Sequence, residues 1–200
     1  MKFSNYRNQP DVILLIIITC VVVFFGVNFV PQLGPYLALQ PATAISHPWT
    51  IVTSLFVHAD LWHLFANMLT LYFFGNALLQ MISQRSWLII FFGGGLAGSL
   101  LFILLNAGSY GYVIGASGAV FALGGALAVL RPNSKVMVFP LPIPIPLWIA
   151  VIGSFIILSF LPSVAWQGHL GDYSSGLPAA TLSSRVNSSF KYFLTSFLPF

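Results

Sequence analysis

Glutamate is absent from this chain of 200 residues, and aspartate occurs three times, as Asp11, Asp60 and Asp172. Charged residues make up 5% of the sequence, against roughly 25% in an ordinary soluble domain. So little charge excludes an ordinary soluble fold. A single cysteine, Cys20, lies in an apolar run, so no internal disulfide can form. The seven lysines and arginines are scattered along the chain, which argues against nucleic-acid binding and makes the net charge of +4 a matter of topology. Without glutamate there is no His-Glu-x-x-His zinc motif, and His58 and His63, five apart, do not share a helical face. No metal and no cofactor is expected.

What is present is apolar. Hydrophobic residues are 58% of the chain, and the mean hydropathy is +0.94. This is the composition of an integral, multi-pass membrane protein, with the lipid bilayer as its solvent. The length allows about six spans of roughly 20 residues and leaves no room for a separate soluble domain. The expected fold is an all-α polytopic membrane protein with six transmembrane helices, a single membrane domain over 1–200.

The spans read in order. Span 1 covers Val12–Val30. It follows Lys2 and Arg7 as a signal peptide would, but no small-x-small cleavage site comes after it, so it reads as uncleaved. Pro31, Gly34, Pro35 and Pro41 make 31–57 a long connection. Its Tyr36, Trp49 and Phe56 suit the membrane interface, with short helices. Span 2 is Leu61–Ile82, span 3 Trp87–Leu105, span 4 Ile114–Leu130. Alternating prolines from Pro140 to Pro146 predict an extended lead into span 5, Leu147–Leu161. A short turn at 161–163 precedes a last segment from Val164. With six spans and a cytoplasmic N-terminus, Lys2, Arg7, Arg85, Arg131, Lys135, Arg185 and Lys191 all fall on one side, as the positive-inside rule requires.

That topology sets depth. Ser117 lies about four helical turns before Arg131, and His169 a little over four before Arg185, on spans running the same way. At about 1.5 Å per residue both lie roughly 20–25 Å from the inner boundary. Asn67, about five turns before Arg85, lies slightly higher. Three polar groups on three parallel spans thus share one outer layer, and polar groups at membrane depth mark function. A transport path would instead show polar residues at several depths.

Gly115-Ala116-Ser117-Gly118 stands where a polar loop becomes an apolar helix. A helix start offers free N–H groups and a partial positive charge, and flanking glycines allow close approach. Taken alone, the serine reads equally as a helix N-cap or as a small residue at a helix crossing. Ala119, where an α/β-hydrolase elbow needs glycine, excludes that fold. His169, level with Ser117, is positioned to take its proton. With no obvious third carboxylate, a Ser–His dyad is expected rather than a triad. His63 and Asn67, four apart, share a face of span 2. With the Ser117 N–H they can form an oxyanion hole, or they serve as helix-gluing contacts.

In this arrangement the chain resembles the rhomboid family of intramembrane serine proteases. The motifs are His58-x-x-x-x-His63-x-x-x-Asn67 on span 2, Gly115-x-Ser117-Gly118 opening span 4, and Ala165-x-x-x-His169 opening span 6. The resemblance covers about residues 45–171. It implies a six-helix bundle, over about 8–182, with a water-accessible site open to the outer face. Ser117 is then the nucleophile and His169 the base. His63, Asn67 and the Ser117 amide stabilise the oxyanion, and His58, Gly115 and Gly118 have structural roles near the site. The implied partners are single-span membrane protein substrates, cut near their outer ends. Since bacterial relatives commonly occupy the plasma membrane, a prokaryotic plasma membrane is the expected location.

Two positions depart from the family pattern. Trp49-Thr50 stands where relatives often have Trp-Arg, an arginine that helps hold the first loop. Asp172 stands where the last span usually has a glycine, and Pro178 follows within a span barely begun. A carboxylate costs about 3 kcal/mol at the centre of a span. The stretch 172–200 is therefore atypical. It is either an unusual sixth span or the product of a frameshift near codon 171. An inactive relative that binds transmembrane helices is the alternative to a protease.

Overall fold

The computed structural model describes residues 11–131, 133–137 and 143–160. The fold is mostly helical. α1 (Val12–Phe29) is capped by Asp11, whose carboxylate accepts from the Ile13 and Leu14 N–H groups. The connection to the next long helix contains α2 (Leu33–Leu37), α3 (Thr50–Thr53) and 3-10 turns at Pro41–Thr43 and Ser54–Phe56. α4 (Leu61–Leu79) is capped by Asp60 and α5 (Gln84–Leu105) by Ser83. α6 is Ser117–Leu130 and α7 is Leu147–Phe160.

α1 and α5 are long and apolar enough to cross a membrane. Only 28% and 17% of their most apolar windows are buried. Their hydrophobic surface therefore faces outward, as in a span bathed by lipid and unlike the core helix of a soluble protein. Leu14, Ile18, Val22, Phe25 and Phe29 form such a face on α1. The sequence expectation of a sixth span falls on residues outside those described.

Packing centres on α6, which lies against α5, α4 and α7, while α1 packs on α4. Small residues make the tightest crossing. A Cβ on Gly94 of α5 would collide with the Ala122 Cβ of α6, and one on Gly95 would stand 2.7 Å from Leu55 Cδ1. Membrane helices gain little from burying apolar surface against each other, so close backbone approach of this kind supplies the contact. Gly94→Ala is expected to push α5 away from α6 and lower stability by about 1–3 kcal/mol, read as a reduced unfolding midpoint in detergent. Gly93, with open space beside it, is the control. A second tight site joins three helices: Trp87, fully buried and stacked on Phe91, donates its indole N–H to the Gly75 carbonyl at 3.1 Å. A Cβ on Gly75 would meet Ile13 at 2.9 Å.

Of the proline-rich lead into α7, the described end, Pro144–Pro146, is extended as its sequence predicts and forms a strand. β1 (Lys135–Met137) pairs antiparallel with β2 (Pro144–Pro146), Val136 opposite Ile145. Prolines two apart present their missing N–H groups on one side of a strand, which leaves the other side able to pair.

Candidate active site

The site is built where the first connection, the start of α4 and the start of α6 meet. Leu39 and Val113 bridge the connection to the segment before α6, with N–H···O distances of 3.2 and 2.8 Å. Gln40 reaches the Tyr110 carbonyl at 2.7 Å, and Ser99 of α5 donates to the Ile51 carbonyl at 3.2 Å. The Gly115 N–H donates to the Ser54 carbonyl at 2.9 Å. The connection is thus tied to both neighbours without the Trp-Arg pair. Trp49 donates to the Tyr36 carbonyl at 3.0 Å and packs on its ring, while the Thr50 hydroxyl donates to the His47 carbonyl at 2.6 Å.

Ser117 is the first residue of α6, and the cap position belongs to Ala116, which makes no side-chain cap bond. The reading of Ser117 as an N-cap is therefore excluded, and its half-buried side chain is not committed to capping. Helical hydrogen bonding begins with Val120 N–H to the Ala116 carbonyl. The Ser117 amide is among the first N–H groups of the helix, which have no partner within it.

Two residues earlier Gly115 adopts φ +110°. A Cβ there would stand 2.8 Å from both Cε1 and Nε2 of His63. The His63 imidazole thus lies directly against the turn that opens α6. Its backbone N–H is capped by Asp60 at 2.8 Å, and its Nδ1 faces the Ala59 N–H at 3.4 Å. An amide N–H can only donate, so Nδ1 accepts and the proton of neutral His63 is on Nε2. That is the nitrogen beside Gly115. Asn67, buried one turn along α4, donates to the His63 carbonyl at 2.9 Å, which leaves its second amide hydrogen to donate elsewhere.

His58 lies in the loop before α4, 3% exposed, its ring centroid 5.0 Å from that of His63. Its Nδ1 stands 3.3 Å from the Phe56 carbonyl, so Nδ1 bears the proton. Its Nε2 is buried with no hydrogen-bond partner among the described residues. Burial, reinforced by His63, pushes its pKa down to about 4. A pKa below the unfolded value of 6.5 means that the unfolded chain takes up this proton first. Stability contributed here is present above about pH 6.5 and declines as pH falls toward 4, by up to about 1.4 kcal/mol per unit. Unfolding followed between pH 7 and 4 is expected to show this slope, and His58→Gln to lose that part of it.

Gly118, next to the serine, faces α5. A Cβ there would stand 3.7 Å from the Gly94 carbonyl, an ordinary contact. The residue that sterically requires glycine at this crossing is Gly94, whose only sequence signal is the run Gly93-Gly94-Gly95. Both described carboxylates, Asp11 and Asp60, are engaged at helix N-termini. His169 and Asp172 lie outside the described residues. Among the described residues no cluster of three or more His, Cys, Asp or Glu side chains could hold a metal ion.

Comparison with known proteins bears on the family and on location. Residues 46–186 match the Rhomboid domain family model. Rhomboid protein 1, mitochondrial, of Saccharomyces cerevisiae is 30% identical over 173 residues, covering 82% of this chain and 47% of the relative. RHOMBOID-like protein 1 of Arabidopsis thaliana is 35% identical over 129 residues, 64% of this chain and 32% of the relative. RHOMBOID-like protein 12, mitochondrial, of the same plant is 30% identical over 142 residues, 61% and 42%. The chain spans less than half the length of these relatives. The mitochondrial relatives overturn the expectation of a prokaryotic plasma membrane and point to a mitochondrial membrane instead. Bundle architecture and inward-facing polar residues are blind to which membrane holds them, so nothing in the spans could have distinguished the two. By a family match that covers most of its length, this chain belongs to the rhomboid family.

Proposed function

We infer that the chain is an intramembrane serine endopeptidase that cuts single-span membrane proteins near one membrane face. The observation that carries this is the His63 imidazole pressed against the Gly115 turn, two residues before a serine that opens a helix without capping it. In this reading Ser117 attacks the carbonyl carbon and His169 takes its proton. His63 Nε2–H, the second amide hydrogen of Asn67 and the Ser117 amide donate to the oxyanion. His169 then returns the proton to the leaving amine. The fold completes as six spans, the last supplied by the segment from Val164.

Helix length favours the same reading. α6 has 14 residues, about 21 Å at roughly 1.5 Å each, against a hydrocarbon core of about 30 Å. With Arg131 at one boundary, Ser117 would lie below the other, and hydrolysis there requires a depression that admits water. A substrate helix must unwind there, because its peptide bonds are shielded and hydrogen-bonded while helical.

The second reading, an inactive relative that binds transmembrane helices, draws on Asp172 and Pro178, which follow His169 closely. The gene sequence around codon 171 separates a frameshift from an unusual sixth span. A serine-directed fluorophosphonate distinguishes the functional readings. Active protein is expected to be labelled at Ser117 and to lose at least about 10²-fold in labelling rate in His169→Ala. Labelling that survives that substitution removes His169 as base, and folded protein that never labels favours the binding role.

A further inference from the structure

At the far end of α6 from Ser117 a cleft of about 570 Å³ opens between the ends of α4 and α6 and the β1–β2 hairpin. Its polar wall carries Arg131, Lys135, Ser134 and Gln80, and its apolar wall includes Phe73 and Leu127. Arg131 and Lys135 are exposed, no carboxylate lines the cleft among the described residues, and the two described carboxylates cap helices elsewhere. Two cations with no described carboxylate beside them are a large local field in so uncharged a chain.

We propose that this cleft binds the phosphate of an anionic phospholipid headgroup, with the acyl chains leaving along Phe73 and Leu127. Three features favour a lipid over a free phosphate ion. The cleft is far larger than such an ion. Its apolar wall is continuous with outward-facing residues of α4, where Phe73 is 61% exposed. Its cations stand at the end of the apolar run of α6, where a membrane boundary places headgroups. The C-termini of α4 and α6 contribute partial negative charge there. Two full positive charges outweigh it, and a neutral or zwitterionic headgroup gains less from them. Ser134 is held in place by the hairpin, since its carbonyl accepts from the Leu147 N–H at 2.9 Å. Its hydroxyl and the Gln80 amide can serve as neutral donors. The whole length of α6 separates this site from Ser117, so it belongs to a different function from peptide hydrolysis.

The test uses the full chain in nanodiscs of equimolar phosphatidylglycerol and phosphatidylcholine, with retained lipid read by native mass spectrometry. Phosphatidylglycerol is expected to be retained about fivefold or more over phosphatidylcholine, with parity in R131Q/K135Q and preference kept in R131K/K135R. Thermal unfolding of each variant in phosphatidylcholine alone checks that the fold is intact. If R131Q/K135Q fails to fold, the single variants R131Q and K135Q carry the test, each expected to lose part of the preference. Equal retention of the two lipids, or a preference unchanged without the cations, overturns the proposal. Displacement of the lipid by millimolar inorganic phosphate overturns the lipid assignment in favour of a soluble phosphate.

Discussion

Cleavage of a transmembrane substrate in proteoliposomes is expected to fall to background in Ser117→Ala and by about 10²–10³-fold in His63→Ala. The two losses have different origins. Without the Ser117 hydroxyl there is no nucleophile. Without His63 the nucleophile remains, but the developing oxyanion loses the donor whose tautomer the Ala59 N–H has fixed. Asn67→Ala is expected to cost less than His63→Ala, because one hydrogen of that amide already goes to the His63 carbonyl. Both side chains would donate to the same oxyanion, so the double variant should lose less than the two single losses multiplied together. The loss in His63→Ala should appear in kcat, since the oxyanion exists only in the transition state and beyond. A His63→Ala protein that keeps more than about a tenth of wild-type kcat removes His63 from the oxyanion site.

Helix existence was legible because each apolar run is long enough to have one reading. Span 1 was expected to end at Val30 and α1 ends at Phe29. The larger boundary shifts have local causes. α5 begins at Gln84, ahead of the expected Trp87, because Ser83 caps it. α6 begins at Ser117 and not at Ile114, because the positive φ of Gly115 cannot continue a helix. α4 stops at Leu79, where Met81 and Ile82 N–H groups both turn back to the Leu78 carbonyl. Pairings across the chain were not legible. Nothing local to Leu39 announces Val113, nothing local to Gly94 announces Ala122, and the pairing of β1 with β2 depends on partners that only the fold brings together. At the candidate site, residue types and spacing singled out His63, Asn67 and Ser117. They could not reveal that Gly115 is the residue which lets His63 approach, since that depends on a backbone angle and on how near the ring comes.

Gly115→Ala is therefore expected to be the most damaging small substitution in the described chain outside the reacting groups. Two costs add. Alanine at φ +110° pays about 1–3 kcal/mol in backbone strain, and its Cβ must displace the His63 ring, which it would approach to 2.8 Å. The ring has little room to yield, with the Ala59 N–H at Nδ1 and His58 packed edge-on beside it. Gly108 isolates the second cost. It also has positive φ, at +75°, but nothing lies within 4 Å of a Cβ built on it. Gly108→Ala is expected to lower the unfolding midpoint by the strain alone and to leave fluorophosphonate labelling of Ser117 near the wild-type rate. Gly115→Ala is expected to lower the midpoint further and to cut labelling by about 10²-fold or more, because the reagent's phosphoryl oxygen needs the same donors as the oxyanion. Equal labelling in the two variants would separate Gly115 from the site and leave it a turn residue. A large gap between them ties the conformation of this one glycine to the position of the imidazole it accommodates.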